Sequence, residues 1–90
     1  MLIAIDFDDT YTRDPHLWDL FINQAKLRNH EVICVTMRFP EEGNEVINSI
    51  GKRCKIIFTE RQAKEKFLKS LNIRPDIWID DNPFWIYRDG

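Results

Sequence analysis

The chain has 90 residues, 43% of them hydrophobic and 31% charged, the composition of a single globular domain with a thin core. Its formal net charge of -2 excludes a global electrostatic footprint for nucleic acid and leaves only a local patch open. No run approaches the ~18 apolar residues of a membrane span.

The first apolar run, "LIAIDF" (2–7), is short, rich in β-branched residues and reads as a strand. Asp6 interrupts it and no basic stretch precedes it, so no secretory signal is expected there. Asp14-Pro15 is a helix start signal for "HLWDLFINQAKLRN" (16–29). There Leu17, Leu20, Phe21, Ala25 and Leu27 recur at roughly helical spacing. "EVICVT" (31–36) is a second strand. "PEEGNEVINSIGKR" (40–53) opens with Pro and two acids, which suits a helix N-terminus, while Gly43 and Gly51 weaken that helix. "CKIIFT" (54–59) is a third strand. "ERQAKEKFLKSLN" (60–72) is a strong helix with Ala63, Phe67, Leu68 and Leu71 on one face, and "DIWID" (76–80) a fourth strand. In the tail, Trp85-Ile86-Tyr87 form either a short fifth strand at an edge or a packed loop. Cys34 and Cys54 lie inside apolar runs and read as small buried hydrophobes of a reducing, cytoplasmic compartment; a disulfide between neighbouring strands is the alternative.

Strands alternating with helices predict an α/β fold with a parallel sheet of four strands, or five with the tail, and helices on both faces. Ligands of such sheets bind outside the carboxyl ends of the strands. Asp6 and Asp8 end or follow the first strand, Thr36 ends the second, and Asp80-Asp81 end the fourth. If the first and fourth strands are neighbours, four acids converge, and they cannot all stay ionised without a counter-charge. A hard divalent cation such as Mg²⁺, bound by carboxylates, water and substrate phosphate, supplies it.

Together these motifs resemble the haloacid dehalogenase-like (HAD) phosphohydrolases. The first motif of that family is Asp-x-Asp-x-Thr, here Asp6-Phe7-Asp8-Asp9-Thr10. The second is the Thr or Ser ending strand two, here Thr36. The third is a Lys at the start of a helix, here Lys64, with Lys66 and Lys52 competing for the position. The fourth is the acidic pair Asp80-Asp81. The resemblance covers nearly the whole chain, in the family's motif order. It implies a three-layer Rossmann-like domain and Mg²⁺-dependent phosphomonoester hydrolysis through an aspartyl-phosphate. Asp6 would be the nucleophile and Asp8 the acid and base. Thr36 and Lys64 would bind the phosphoryl group, and Asp6, Asp8, Asp80 and Asp81 would hold the metal. Asp9, where many relatives carry Gly, would cap the loop.

Each residue has a plainer reading. Asp6 and Asp8 could serve a turn, Thr36 a strand-end hydroxyl, and Lys64 a solvated helix face. Arg38 is either a contact to substrate phosphate or a surface Arg. Tyr11, Phe84 and Trp85 either line the mouth of the site or pack as core. His16 and His30 sit at helix ends and carry no metal expectation.

No cap domain fits between the motifs, and capless relatives often act on large substrates or borrow a lid from a partner subunit. The expected partner is thus a phosphorylated substrate, small or macromolecular. A nucleotide or nucleic-acid end is allowed but not indicated by net charge, a membrane is not expected, and an oligomer is allowed. The alternative function is a catalytically silent HAD-like binding or regulatory module, against which the intact Asp6 and Asp8 weigh. A receiver domain is disfavoured, because the third strand ends at Phe58-Thr59 without an Asp.

Overall fold

The computed structural model describes residues 1–90. Four strands form one sheet: β1 (Leu2–Ile5), β2 (Glu31–Thr36), β3 (Lys55–Phe58) and β4 (Ile77–Ile79). Four helices accompany them: α1 (Pro15–Leu27), α2 (Asn44–Ile47), α3 (Lys64–Ser70) and α4 (Phe84–Tyr87). The sheet order is β3-β2-β1-β4 and every pairing is parallel. The chain therefore builds outward from β1 through β2 to β3, then returns to place β4 on the other side of β1. Strand order reverses at β1, and the crevice outside such a reversal is where parallel sheets bind ligands.

The strands are apolar on both faces because both are covered. On one face Ile3, Ile5, Val32 and Cys34 pack with Ile22 and Ala25 of α1, Val46 of α2, and Ile50. On the other, Ala4, Ile33, Val35 and Ile57 pack with Leu68 of α3. Ile22 is fully buried in a small core, so Ile22→Ala should cost about 2–5 kcal/mol, read as a shifted urea midpoint at unchanged slope.

Asp14 caps α1, accepting the Leu17 N–H at 3.2 Å, as the Asp-Pro start signal predicts. The buried stripe of α1 differs from the expected one. Phe21 and Ala25 face inward, but with Trp18 and Ile22, at positions i, i+3, i+4 and i+7. Leu17, Leu20 and Leu27 belong to a neighbouring stripe and are 51%, 52% and 76% exposed.

The helix expected over 40–53 is broken. It becomes a 3₁₀ turn at Pro40–Glu42, the single turn α2, and a second 3₁₀ turn at Ile50–Lys52. At the first break Gly43 packs closely on β3: a Cβ there would come within 2.5 Å of Phe58 Cζ. The helix expected over 60–72 begins only at Lys64, because Glu60 and Arg61 both take left-handed backbone (φ 54 and 66). Leu71 lies outside it and is exposed. The tail is the helical turn α4 after Pro83, so no fifth strand forms. Cys34 and Cys54 are both free thiols. No helix is long and apolar enough to cross a membrane.

Candidate functional site

Asp6 follows the last residue of β1, and its N–H donates to the Ile79 carbonyl at 2.9 Å. That bond extends the β1–β4 ladder by one residue and fixes the Asp6 backbone beside Asp80. The chain then turns sharply. Tyr11 N–H donates to the Asp6 carbonyl and Thr12 N–H to the Phe7 carbonyl, at 3.3 and 3.2 Å. Asp9 takes the left-handed conformation (φ 62), which Asp tolerates better than most residues, and its N–H donates to Thr12 Oγ1 at 3.0 Å. Asp9 thus stands in the loop, but the capping oxygen there is that of Thr12 and not the Asp9 carboxylate. Phe7 is buried under the turn and stacks on Tyr11, centroids 5.7 Å apart. Tyr11 belongs to the core, its hydroxyl donating to Asp19 at 2.7 Å.

Asp6, Asp80 and Asp81 each offer a carboxylate oxygen, all within 4.8 Å of one another. Lys64, the first residue of α3 and only 3% exposed, places Nζ 2.7 Å from Asp6 Oδ1 and 2.7 Å from Asp80 Oδ2. Lys66, by contrast, is exposed and lies 3.7 Å from Asp89, and Lys52 sits in an exposed turn, so Lys64 is the lysine at the site. The α3 start is anchored from the tail, where Asp89 accepts the Ala63 N–H at 2.7 Å. Thr36, 1% exposed at the end of β2, lines the same cleft.

Thr10 joins the two acidic segments. Its hydroxyl lies 3.1 Å from Asp6 Oδ2 and 3.0 Å from Asp81 Oδ1, and it accepts the Asp81 N–H at 3.0 Å. One hydroxyl proton serves one carboxylate at a time. Thr10 thus ties the loop after β1 to the loop after β4, a role not assigned to it from sequence, although it stands in the quoted motif.

Asp8 departs from expectation. Its carboxylate does not join the cluster of three but turns to Arg38, whose Nη2 and Nε lie 2.7 and 3.1 Å from its two oxygens. Arg38 stacks over Phe7, 5.2 Å from the ring centroid. The Asp8 side chain therefore stands outside the cluster of carboxylates that could hold a metal, contrary to the expected ligand set. Arg61 and Trp85 also line the cleft, which encloses about 220 Å³. Arg61 escaped sequence reasoning because it lay within a presumed helix.

Charge at the site is unbalanced. Asp6, Asp80 and Asp81 cluster together, and the one ammonium among them, Lys64, contacts Asp6 and Asp80. Burial raises Asp6 to about 6 despite the pull of Lys64, and Asp80 adds to the rise. Burial alone would lower Lys64, but Asp6 and Asp80 outweigh it and hold the ammonium above its ordinary value. The Lys64 shift follows from one cation facing two carboxylates, the Asp6 shift chiefly from burial. The all-oxygen donor set and the unmatched negative charge suit a hard divalent cation. The thiols do not compete as nucleophiles, since burial raises Cys54 to about 11 and Cys34 well above its usual value.

No family model, curated protein or solved structure matches this chain.

Proposed function

We propose that this chain is a Mg²⁺-dependent phosphohydrolase of HAD-like, three-layer Rossmann-like fold, acting on phosphomonoesters through an aspartyl-phosphate on Asp6. The observation that carries the reading is the position of Asp6. It stands at the strand-order reversal, in contact with Lys64, with Asp80 and Asp81 delivered beside it from the far end of the chain. Turn chemistry alone has no use for a buried Lys shared between two acids.

Asp6, Asp80 and Asp81 would hold Mg²⁺, which when bound neutralises charge on the phosphoryl oxygens. The remaining chemistry belongs to the protein. A carboxylate oxygen of Asp6 attacks phosphorus and the ester P–O bond breaks. The electron pair departs on the leaving oxygen, which takes a proton from Asp8. Water then attacks the phosphorus of the aspartyl-phosphate and gives a proton to Asp8. The bond to Asp6 breaks, Asp6 is again a carboxylate, and inorganic phosphate leaves. Lys64 and the Thr36 hydroxyl orient the transferring group throughout.

Hydrolysis of phenyl phosphate, measured with Mg²⁺ and with EDTA, tests the reading. Metal-dependent turnover is expected. Silence toward phenyl phosphate, nucleotides and phosphorylated oligonucleotides would instead favour a binding module. Mg²⁺ at a hundredfold excess over Kd should also stabilise the fold by about 2.7 kcal/mol in thermal melts. That gain should shrink below pH 6, because a proton on Asp6 then competes with the cation.

A further inference from the structure

Two guanidiniums on the rim of the cleft, Arg38 and Arg61, make no contact with Asp6, Asp80 or Asp81. Arg38 grips both oxygens of Asp8 through Nη2 and Nε and donates Nη1 to the Glu42 carbonyl at 2.8 Å. Arg61 reaches the same rim from left-handed backbone, with Nη2 3.2 and 3.1 Å from the two oxygens of Glu42 and Nη1 donating to the Met37 carbonyl at 3.0 Å. The polar contacts of the Arg38 side chain run to Asp8, Glu42 and Glu45, and none runs to Asp6, Asp80 or Asp81. The Arg38 fork is therefore a separate place from the one where phosphorus meets Asp6.

A bidentate fork is built for an oxyanion, and here the chain's own Asp8 fills it. Asp8 is also the acid and base of the proposed reaction, and here the guanidinium turns its carboxylate away from the Asp6, Asp80 and Asp81 cluster where the reacting group would sit. Asp8 is half exposed, whereas the Arg38 side chain is 21% exposed. Withdrawing Asp8 with nothing in its place strips two donors on a largely covered guanidinium of their partner. A different oxyanion entering from solvent avoids that cost.

Resting on the phosphohydrolase reading, we propose that Arg38 forms a second oxyanion subsite, occupied by Asp8 in the resting protein. The preferred substrates are then phosphate esters with a second anionic group, a carboxylate or another phosphate. That group takes the place of Asp8 on Arg38 and releases Asp8 for proton transfer. Binding energy at the rim is thereby converted into a competent catalyst, so the second anion raises kcat and not only apparent affinity.

The test compares phenyl phosphate with its meta- and para-carboxylated and meta- and para-phosphorylated counterparts, in the wild type, Arg38→Ala and Arg38→Gln. In the wild type at least one doubly anionic ester should exceed phenyl phosphate in kcat/KM by about tenfold, with part of the gain in kcat. Both variants should compress that advantage below about threefold, because no fork remains to receive the second anion. Measuring the same esters in the variants removes the intrinsic effect of each substituent on the leaving group. An advantage limited to the carboxylated or to the phosphorylated esters identifies the source of the anion. Turnover of phenyl phosphate with no advantage for any doubly anionic ester, or an advantage undiminished in both variants, overturns the subsite alone. Turnover of no ester at all overturns the phosphohydrolase reading and the subsite with it.

Discussion

Replacing Lys64 by methionine should lower the thermal midpoint by roughly 15–30 °C at pH 7 in metal-free buffer. The ammonium lies 2.7 Å from both Asp6 and Asp80 and is 3% exposed, so its removal leaves two facing carboxylates with no cation between them. Breaking a buried pair from one side costs about 3–5 kcal/mol. The total stability of a chain this small is only about 5–13 kcal/mol, so the loss is a large fraction of it. Two conditions should soften it. Acid pH protonates Asp6, already raised to about 6 by burial, and relieves the repulsion. Saturating Mg²⁺ would replace the missing positive charge. Differential scanning calorimetry across pH, with and without Mg²⁺, reads all three. A midpoint that moves by less than about 5 °C would show Lys64 to be peripheral to the fold's charge balance.

The second large effect separates activity from stability. Asp6→Asn should abolish turnover, a loss of about a thousandfold or more, because the amide cannot form the acyl phosphate. The same change should make the protein more stable at neutral pH. The sign follows from the folded pKa of about 6 against the ordinary value of 3.8. Between those values the native state holds the proton more tightly than the unfolded chain, so stability falls as pH rises through that window. Above about pH 6 the cost of ionised Asp6 is fully present, on the order of 2–3 kcal/mol. Asn approximates the neutral acid and escapes it. The variant should thus match the wild type below about pH 4 and exceed it above pH 6, a crossover visible in melts over that range. Equal stability at every pH, with activity lost, would mean that Asp6 is a nucleophile without electrostatic strain.

How much of this was legible beforehand varied by element. The central strands β1 and β2 read most plainly because their burial is two-sided, and two-sided burial leaves an uninterrupted apolar run in the sequence. The placement of Asp6, Thr36, Asp80 and Asp81 followed from strand ends alone, since parallel strands deliver all their carboxyl ends to one edge. Helix faces were less legible. Leu17, Leu20 and Leu27 satisfy helical spacing with Phe21 and Ala25 as well as Trp18 and Ile22 do, and only the packing of α1 on the sheet chose between the stripes. The weakness of the helix over 40–53 was signalled by Gly43 and Gly51, whereas the delayed start of α3 was set by left-handed backbone at Glu60 and Arg61, which has no periodic signature.

By itself, then, the sequence determined the order of elements, the parallel sheet it implies, and which acids arrive at the carboxyl edge of that sheet. Hydrophobic period and strand polarity are local properties, and they are written residue by residue. Only the tertiary structure decided the partners. It set Lys64 between Asp6 and Asp80, tied Thr10 to Asp81 across the sheet, and turned Asp8 away to Arg38. Those contacts join residues 16 to 71 positions apart, so they depend on distances that form only once the sheet has brought both ends of the chain together.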